Sequence, residues 1–277
     1  MKKVLFLTTL FCAALTVQAQ RPQMMRMAEP GLTDQTARKF TLDLTDDGKA
    51  QMVCFLPTKS SGKAIVGVPG GGYSVLSNTH EGTMAADWLN KKGIAYFVVN
   101  YRMPEGDRNI PIGDVSKGIR IVRDSAAVWG INPADVGIMG FSAGGHLASV
   151  ISTLTEYDVR PNFTILFYPV ISMEQGTTHQ GSRDNLLGKN PKRKLVNEYC
   201  NEQHITKHTP RAFLALAHDD RAVPPVNSLN YYEELYANKV PAAMYIYPSG
   251  GHGFGIRQSF TYHFEMMLEL KAWLRSF

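Results

Sequence analysis

Ser142, Asp219, Asp220 and His252 have the residue types and settings that nucleophilic acyl transfer requires. Ser142 lies in "GFSAGGH", residues 140–146, a G-x-S-x-G pattern that follows the short apolar run "DVGIMGF". A serine hydroxyl is a poor nucleophile at its own pKa, so it needs a base, an acid that orients the base, and donors for the oxyanion. For the base, "PSGGHGFG" sets His252 among glycines after the last strand candidate. Neutral imidazole there can take the serine proton and return it to the leaving group. For the acid, "LALAHDDRAVP" presents Asp219 and Asp220 directly after another strand. The D-x-x-V-P spacing favours Asp220, with Asp219 as its rival.

For the oxyanion, "VPGGGYS" places three glycines at the end of an early strand, where backbone N–H groups can approach a substrate without side-chain interference. Gly71 and Gly72, with the N–H of Ala143, are the expected donors. Tyr73 and His179 are expected to line the substrate. His146 lies too close to Ser142 along one helix start to act as its base, and His80 reads as a structural or supporting loop residue.

These loops need a frame. "KFTLDL" and "AQMVCFLP", separated by the turn "TDDGK", read as a hairpin. Apolar β-branched runs then alternate with helical patterns. "AIVGVP" precedes a helix from about Met84 to Lys92, "IAYFVVNY" one from about Val115 to Trp129, and "DVGIMGF" one that begins near Ser142. After "FTILFYPV" comes a polar excursion, residues 171–210. "AFLALAH" leads to a helix from about Asn227 to Ala237, and "AAMYIYP" to a last one from about Ser259 to Ser276. Such alternation predicts one α/β domain, a mostly parallel twisted sheet of about eight strands with helices on both faces. Loops leaving the carboxyl ends of those strands converge on one edge, where ligands bind. A forty-residue excursion exceeds an ordinary connection and is often functional.

Other patterns carry less chemistry. His204 and His208 have the i, i+4 spacing of zinc ligands, but no acidic or cysteine partner completes the set and Pro210 follows at once. No metal and no cofactor is expected. Trp88, Trp129 and Trp273 fall on apolar helical faces and read as core, and Arg102 reads as a loop pin toward carbonyls or Asp114. The basic cluster Lys189, Lys192, Arg193 and Lys194 has no interleaved aromatics and reads as a solvated segment.

The 277-residue chain opens with Lys2 and Lys3, an apolar run from Val4 to Val17, and small residues before Gln20. This is the pattern of a signal peptide over residues 1–19, too short to span a membrane, so export to the periplasm or the exterior is expected. Bulky Phe11 ahead of Cys12 argues against a lipid anchor. Residues 20–37 read as a flexible leader and 38–277 as the domain. Without Lys2 and Lys3 the balance is 27 basic to 24 acidic residues, too mild to suggest nucleic acid or a membrane surface. Cys54 and Cys200, far apart in sequence, make no disulfide framework and leave pairing open.

The order Ser142, Asp220, His252, with G-x-S-x-G on a strand-to-helix turn and glycines upstream, resembles the α/β-hydrolases. "PGGGYSVLS", "VVNYRMP", "WGINPADVGIMGFSAGGHLAS" and "GGHGFG" are similar to bacterial acetyl-xylan-esterase-like and hormone-sensitive-lipase-like esterases, over nearly all of the chain that follows the expected signal peptide. The resemblance implies hydrolysis of short acyl esters, acetyl first among them, on a carbohydrate such as acetylated xylan or its oligosaccharides, through an acyl-enzyme. Pro69 stands where a histidine commonly opens the HGGG loop, which removes a side chain but not the glycine N–H groups. Little room precedes Gly70 for a large helical cap, so a more open site is expected, shaped by Tyr73, the "NTHEG" loop and the excursion. A feruloyl-type esterase, a prolyl-oligopeptidase-like peptidase and a non-catalytic carbohydrate-binding protein are the alternatives. The first two share the triad, and no propeller domain supports the peptidase.

Overall fold

The computed structural model describes residues 38–277. The expected signal peptide, 1–19, and leader, 20–37, lie outside the described residues. Eight strands form one sheet: β1 (Arg38–Asp43), β2 (Gln51–Leu56), β3 (Ala64–Val68), β4 (Ala95–Asn100), β5 (Val136–Phe141), β6 (Phe163–Phe167), β7 (Arg211–Ala217) and β8 (Ala242–Tyr247). Their order is β1-β2-β4-β3-β5-β6-β7-β8. The β1–β2 hairpin and the β2–β4 pair are antiparallel, and every pairing from β4 through β8 is parallel.

The core divides by the two-residue period of the strands. Val66 and Val68 of β3 join Phe97, Val99 and Ile138 on one face, whereas Ile65 joins Tyr96, Val98, Met139 and Phe141 on the other. The first face is covered by α2 (Asn109–Asp124), α3 (Ala126–Trp129), α4 (Ser142–Leu154) and α7 (Val226–Ala237), which contribute Val115, Ile119, Leu147, Ile151, Tyr231 and Leu235. The second is covered by α1 (Ala86–Asn90) and α8 (His263–Leu274), through Leu89, Met266 and Leu270. Strands β3 and β5 are buried along their whole length, as expected of parallel strands covered on both sides.

Several helix boundaries differ from the sequence reading. The helix expected over Val115 to Trp129 begins at Asn109 and breaks at Ser125 into α2 and α3. Pro111 sits in the first turn of α2, where its missing N–H has no intrahelical partner to lose. The pattern at Met84 to Lys92 is a 3₁₀ turn, Thr83–Ala85, followed by the short α1, and the final helix is shorter at both ends. The excursion is more ordered than a loop. It contains α5 (Gln180–Leu187), α6 (Arg193–Glu198) and a 3₁₀ turn at Asn201–His204, and it buries Met173, Leu186, Leu187, Val196 and Cys200 against the α4 face. Cys54 and Cys200 are both buried free thiols, and burial pushes the Cys54 thiol up to about 12. No helix among the described residues is long and apolar enough to cross a membrane.

Candidate active site

Ser142 stands at the junction of β5 and α4 with φ of +51°. A non-glycine residue in this left-handed region costs on the order of 1–3 kcal/mol, and surrounding structure must hold it there. The holding contacts are local and tight. A Cβ on Gly140 would lie 2.4 Å from the Gly144 carbonyl oxygen, and one on Gly144 would lie 2.2 Å from that of Val68. The flanking glycines of G-x-S-x-G are therefore required by backbone approach. The Val170 N–H donates to the Ser142 carbonyl at 3.0 Å and ties the elbow to the end of β6.

A continuous relay runs from this elbow. Ser142 Oγ lies 2.7 Å from His252 Nε2, and His252 Nδ1 lies 2.7 Å from Asp220 Oδ2. Asp220 is 5% exposed, and its Oδ1 accepts the N–H groups of Ala222 and Val223, each at 2.9 Å. The D-x-x-V-P turn thus clamps one carboxylate oxygen and aims the other at the imidazole. Asp219 turns the opposite way, and its Oδ1 accepts the Gly251 N–H at 2.8 Å on the exposed side of the histidine loop. Because Asp220 accepts at Nδ1, the imidazole carries its proton there and presents Nε2 as an acceptor to the serine hydroxyl.

The glycine loop follows β3. The Gly70 N–H is already used, donating to Glu81 Oε2 at 3.0 Å. Among the described residues, the N–H groups of Gly71, Gly72 and Ala143 have no such partner and remain available to a ligand. The Gly72 carbonyl is fixed by the Asn185 side chain of α5 at 2.8 Å.

One expectation is corrected. Tyr73 does not line an open surface, because its side chain is 2% exposed and its hydroxyl meets His146 Nδ1 at 2.9 Å beneath the glycine loop. His146 Nε2 faces the Tyr199 carbonyl at 2.9 Å, so that nitrogen donates and Nδ1 accepts the tyrosine proton. Burial holds the His146 imidazole down to about 4, a neutral bridge between the glycine loop and the excursion. His179 is half-buried at the start of α5, and its Nδ1 accepts the Ser182 N–H at 3.2 Å. Its Cε1 approaches Gly72 to 3.7 Å of where a Cβ would stand. Burial lowers its pKa, and because Nδ1 accepts the Ser182 N–H the neutral ring carries its proton on Nε2.

Arg102 forms a two-pronged pair with Asp114 at 3.0 and 2.7 Å, His204 Nε2 meets the Asn197 carbonyl at 3.0 Å, and His208 lies on an exposed loop. Trp129 stacks on Phe97, and Trp273 packs against Phe163 and Phe213. Two residues around the relay escaped the sequence reading. Tyr168 packs edge-on to His252 with ring centroids 4.8 Å apart, and Glu81 accepts the Tyr168 hydroxyl at 2.9 Å. Their only trace in the sequence is a lone acid in "NTHEG" and a hydroxyl at the end of an apolar strand.

An eight-stranded, mostly parallel sheet with a serine elbow after β5, an acid after β7 and a histidine after β8 defines an α/β-hydrolase. Within that class the chain belongs to the BD-FAE family, whose model matches residues 52–235. It is 57% identical to an acetylxylan esterase of Xylanibacter ruminicola over 280 residues, 100% of this chain but only 55% of that relative's length. The fold is similar to that of the acetyl ester-xyloside bifunctional hydrolase from Caldicellulosiruptor lactoaceticus. That likeness has a TM-score of 0.76 and 35% identity, and covers 82% of this chain and 88% of that one. It is also similar to an alpha/beta hydrolase enzyme from a Medee basin deep-sea metagenome library. Here the TM-score is 0.68 with 25% identity, over 87% of this chain and 98% of that one.

Proposed function

We propose that this chain is a serine esterase that removes short acyl groups, acetyl foremost, from a carbohydrate such as acetylated xylan or its oligosaccharides. The observation that carries the reading is the unbroken relay from Ser142 through His252 to Asp220, with both links at 2.7 Å. Ser142 Oγ attacks the ester carbonyl carbon as its proton passes to His252 Nε2. The carbonyl oxygen becomes an oxyanion held by the N–H groups of Gly71, Gly72 and Ala143, each such donor worth on the order of 3 kcal/mol of barrier. Collapse breaks the bond to the sugar oxygen, which leaves with the proton from His252, and acetyl-Ser142 remains. Water then gives its proton to His252, attacks the acyl carbon, and releases acetate with the serine restored.

The 57% identity to an acetylxylan esterase and the fold shared with an acetyl ester-xyloside hydrolase support the choice of acyl group and leaving group. Export by the lysine-led apolar segment at residues 1–19 belongs to the same reading, since a polymeric substrate lies outside the cytoplasm. The test is release of acetate from acetylated xylo-oligosaccharides, alongside chromogenic esters of increasing acyl length, by wild-type and Ser142→Ala protein. Acetate should be the best acyl group and the variant inactive but folded. Undiminished turnover by Ser142→Ala, or a preference for feruloyl over acetyl esters, would overturn the reading.

A further inference from the structure

Three loops build the site from distant parts of the chain, and one buried carboxylate joins them. Glu81 is 3% exposed. Its Oε2 accepts the N–H of Gly70, the residue before the expected oxyanion donors, and its Oε1 accepts the hydroxyl of Tyr168. That hydroxyl in turn accepts the Gly255 N–H at 2.7 Å, three residues beyond His252. A backbone N–H can only donate, so the tyrosine's own proton points at Glu81. Alongside, the Ile256 N–H donates to the His80 carbonyl at 3.0 Å, closing the "NTHEG" loop onto the histidine loop. Both oxygens of Glu81 therefore face donors, an arrangement that suits a carboxylate and does not suit an amide.

We propose that Glu81 is a positioning residue, which as a buried carboxylate sets the glycine loop and the His252 loop in fixed mutual geometry and adds a second negative charge beside the imidazolium. The inference rests on the esterase reading above. A contact needed only for the fold would not call for a charge, since burying a carboxylate costs several kcal/mol. Burial does raise the Glu81 pKa, and the Tyr168 hydroxyl, His252, the Gly70 N–H and Arg257 work against that rise. The other titratable groups around it are His80, with Nε2 3.9 Å from Oε1, and the buried Tyr101 hydroxyl, which donates to the Pro69 carbonyl. Neither pairs with it as a cation at neutral pH, because burial also lowers the His80 pKa.

The experiment compares wild type with Glu81→Gln, Glu81→Asp and Tyr168→Phe. It measures kcat and KM on a chromogenic acetate ester from about pH 5 to about pH 9, and follows the His252 ring by NMR without substrate. Glu81→Gln should lower kcat by about 10- to 100-fold with KM within about threefold, and should move the His252 titration down by about 0.5 unit or more. Glu81→Asp keeps the charge, so the His252 titration should return toward wild type although kcat stays reduced. Should Glu81→Gln not fold, Tyr168→Phe carries the test, since it keeps the ring and removes the hydroxyl through which Glu81 reaches the Gly255 N–H. Wild-type kcat and an unmoved His252 titration in either variant would overturn the proposal. Failure of the wild-type protein to turn over any acyl ester would instead sink the esterase reading, while the NMR titration would still decide the role of Glu81.

Discussion

Replacing Asp220 by Asn should silence the relay through the imidazole tautomer. In the wild-type protein Oδ1 accepts two backbone N–H groups, from Ala222 and Val223, and Oδ2 accepts His252 Nδ1. An asparagine has one acceptor oxygen, and the two backbone donors claim it. Its NH2 must then face His252 Nδ1, and because an NH2 only donates, the ring proton is driven to Nε2. An Nε2–H cannot accept the proton of Ser142. Loss of the correct tautomer in such a relay costs about 10⁴ in kcat, or about 5.4 kcal/mol of barrier. One escape limits the loss. Flipping the amide restores the tautomer but leaves two buried N–H groups facing an NH2, at about 1–3 kcal/mol each. A flip costing about 4 kcal/mol would preserve about one part in 10³ of the activity, so the expected loss is about 10³- to 10⁴-fold. The assay is steady-state hydrolysis of a chromogenic acetate ester, with thermal unfolding beside it. The isosteric variant should unfold within a few degrees of wild type. A folded Asp220→Asn protein with kcat within about tenfold of wild type would refute the reasoning, and so would a loss that merely tracks collapse of the fold.

Asp219→Ala removes only the exposed contact to the Gly251 N–H, so its kcat should fall less than about tenfold in the same assay, and a loss equal to that of Asp220→Asn would reverse the two roles. Gly144→Ala forces a Cβ to within 2.2 Å of the Val68 carbonyl oxygen and 2.4 Å of that of Pro69. Both are backbone, so it should lose about 2 kcal/mol or more and about 4–8 °C in Tm, and an unchanged thermal midpoint would contradict the packing described for the elbow. His146 has its pKa depressed from 6.5 to about 4 by burial, so between those values the unfolded chain binds a proton that the native state refuses. Stability should therefore fall as pH drops from about 6.5 toward about 4, by about 3 kcal/mol in all. Urea unfolding across that window should show the slope in wild type and a reduced slope in His146→Gln, and identical slopes would dismiss this account.

The features readable in the sequence were those set by local backbone rules. Buried parallel strands appear as unbroken apolar runs such as "AIVGVP", and a serine between glycines at the end of one marks a strand-to-helix turn. The helix starts at Asn109 and His263 are less legible, because neither carries a side-chain cap to mark it and its position depends on what packs nearby. The excursion is visible as too long for a plain connection, yet its two helices are not, since their apolar residues Leu186, Leu187 and Val196 find partners only in a core built by the rest of the chain.

By itself, then, the sequence determined a mostly parallel α/β sheet, a serine elbow, and an acid and a histidine following it in the right order. Only the tertiary structure decided the partners. It showed which of two adjacent aspartates meets His252, turned Tyr73 inward onto His146, and gathered Gly70, Tyr168 and Gly255 around Glu81. The physical reason lies in the range of the interactions. A strand or a tight turn is fixed by residues a few positions apart, whereas the direction of a buried side chain is fixed by hydrogen-bond partners up to 110 positions away along the chain, as with Ser142 and His252.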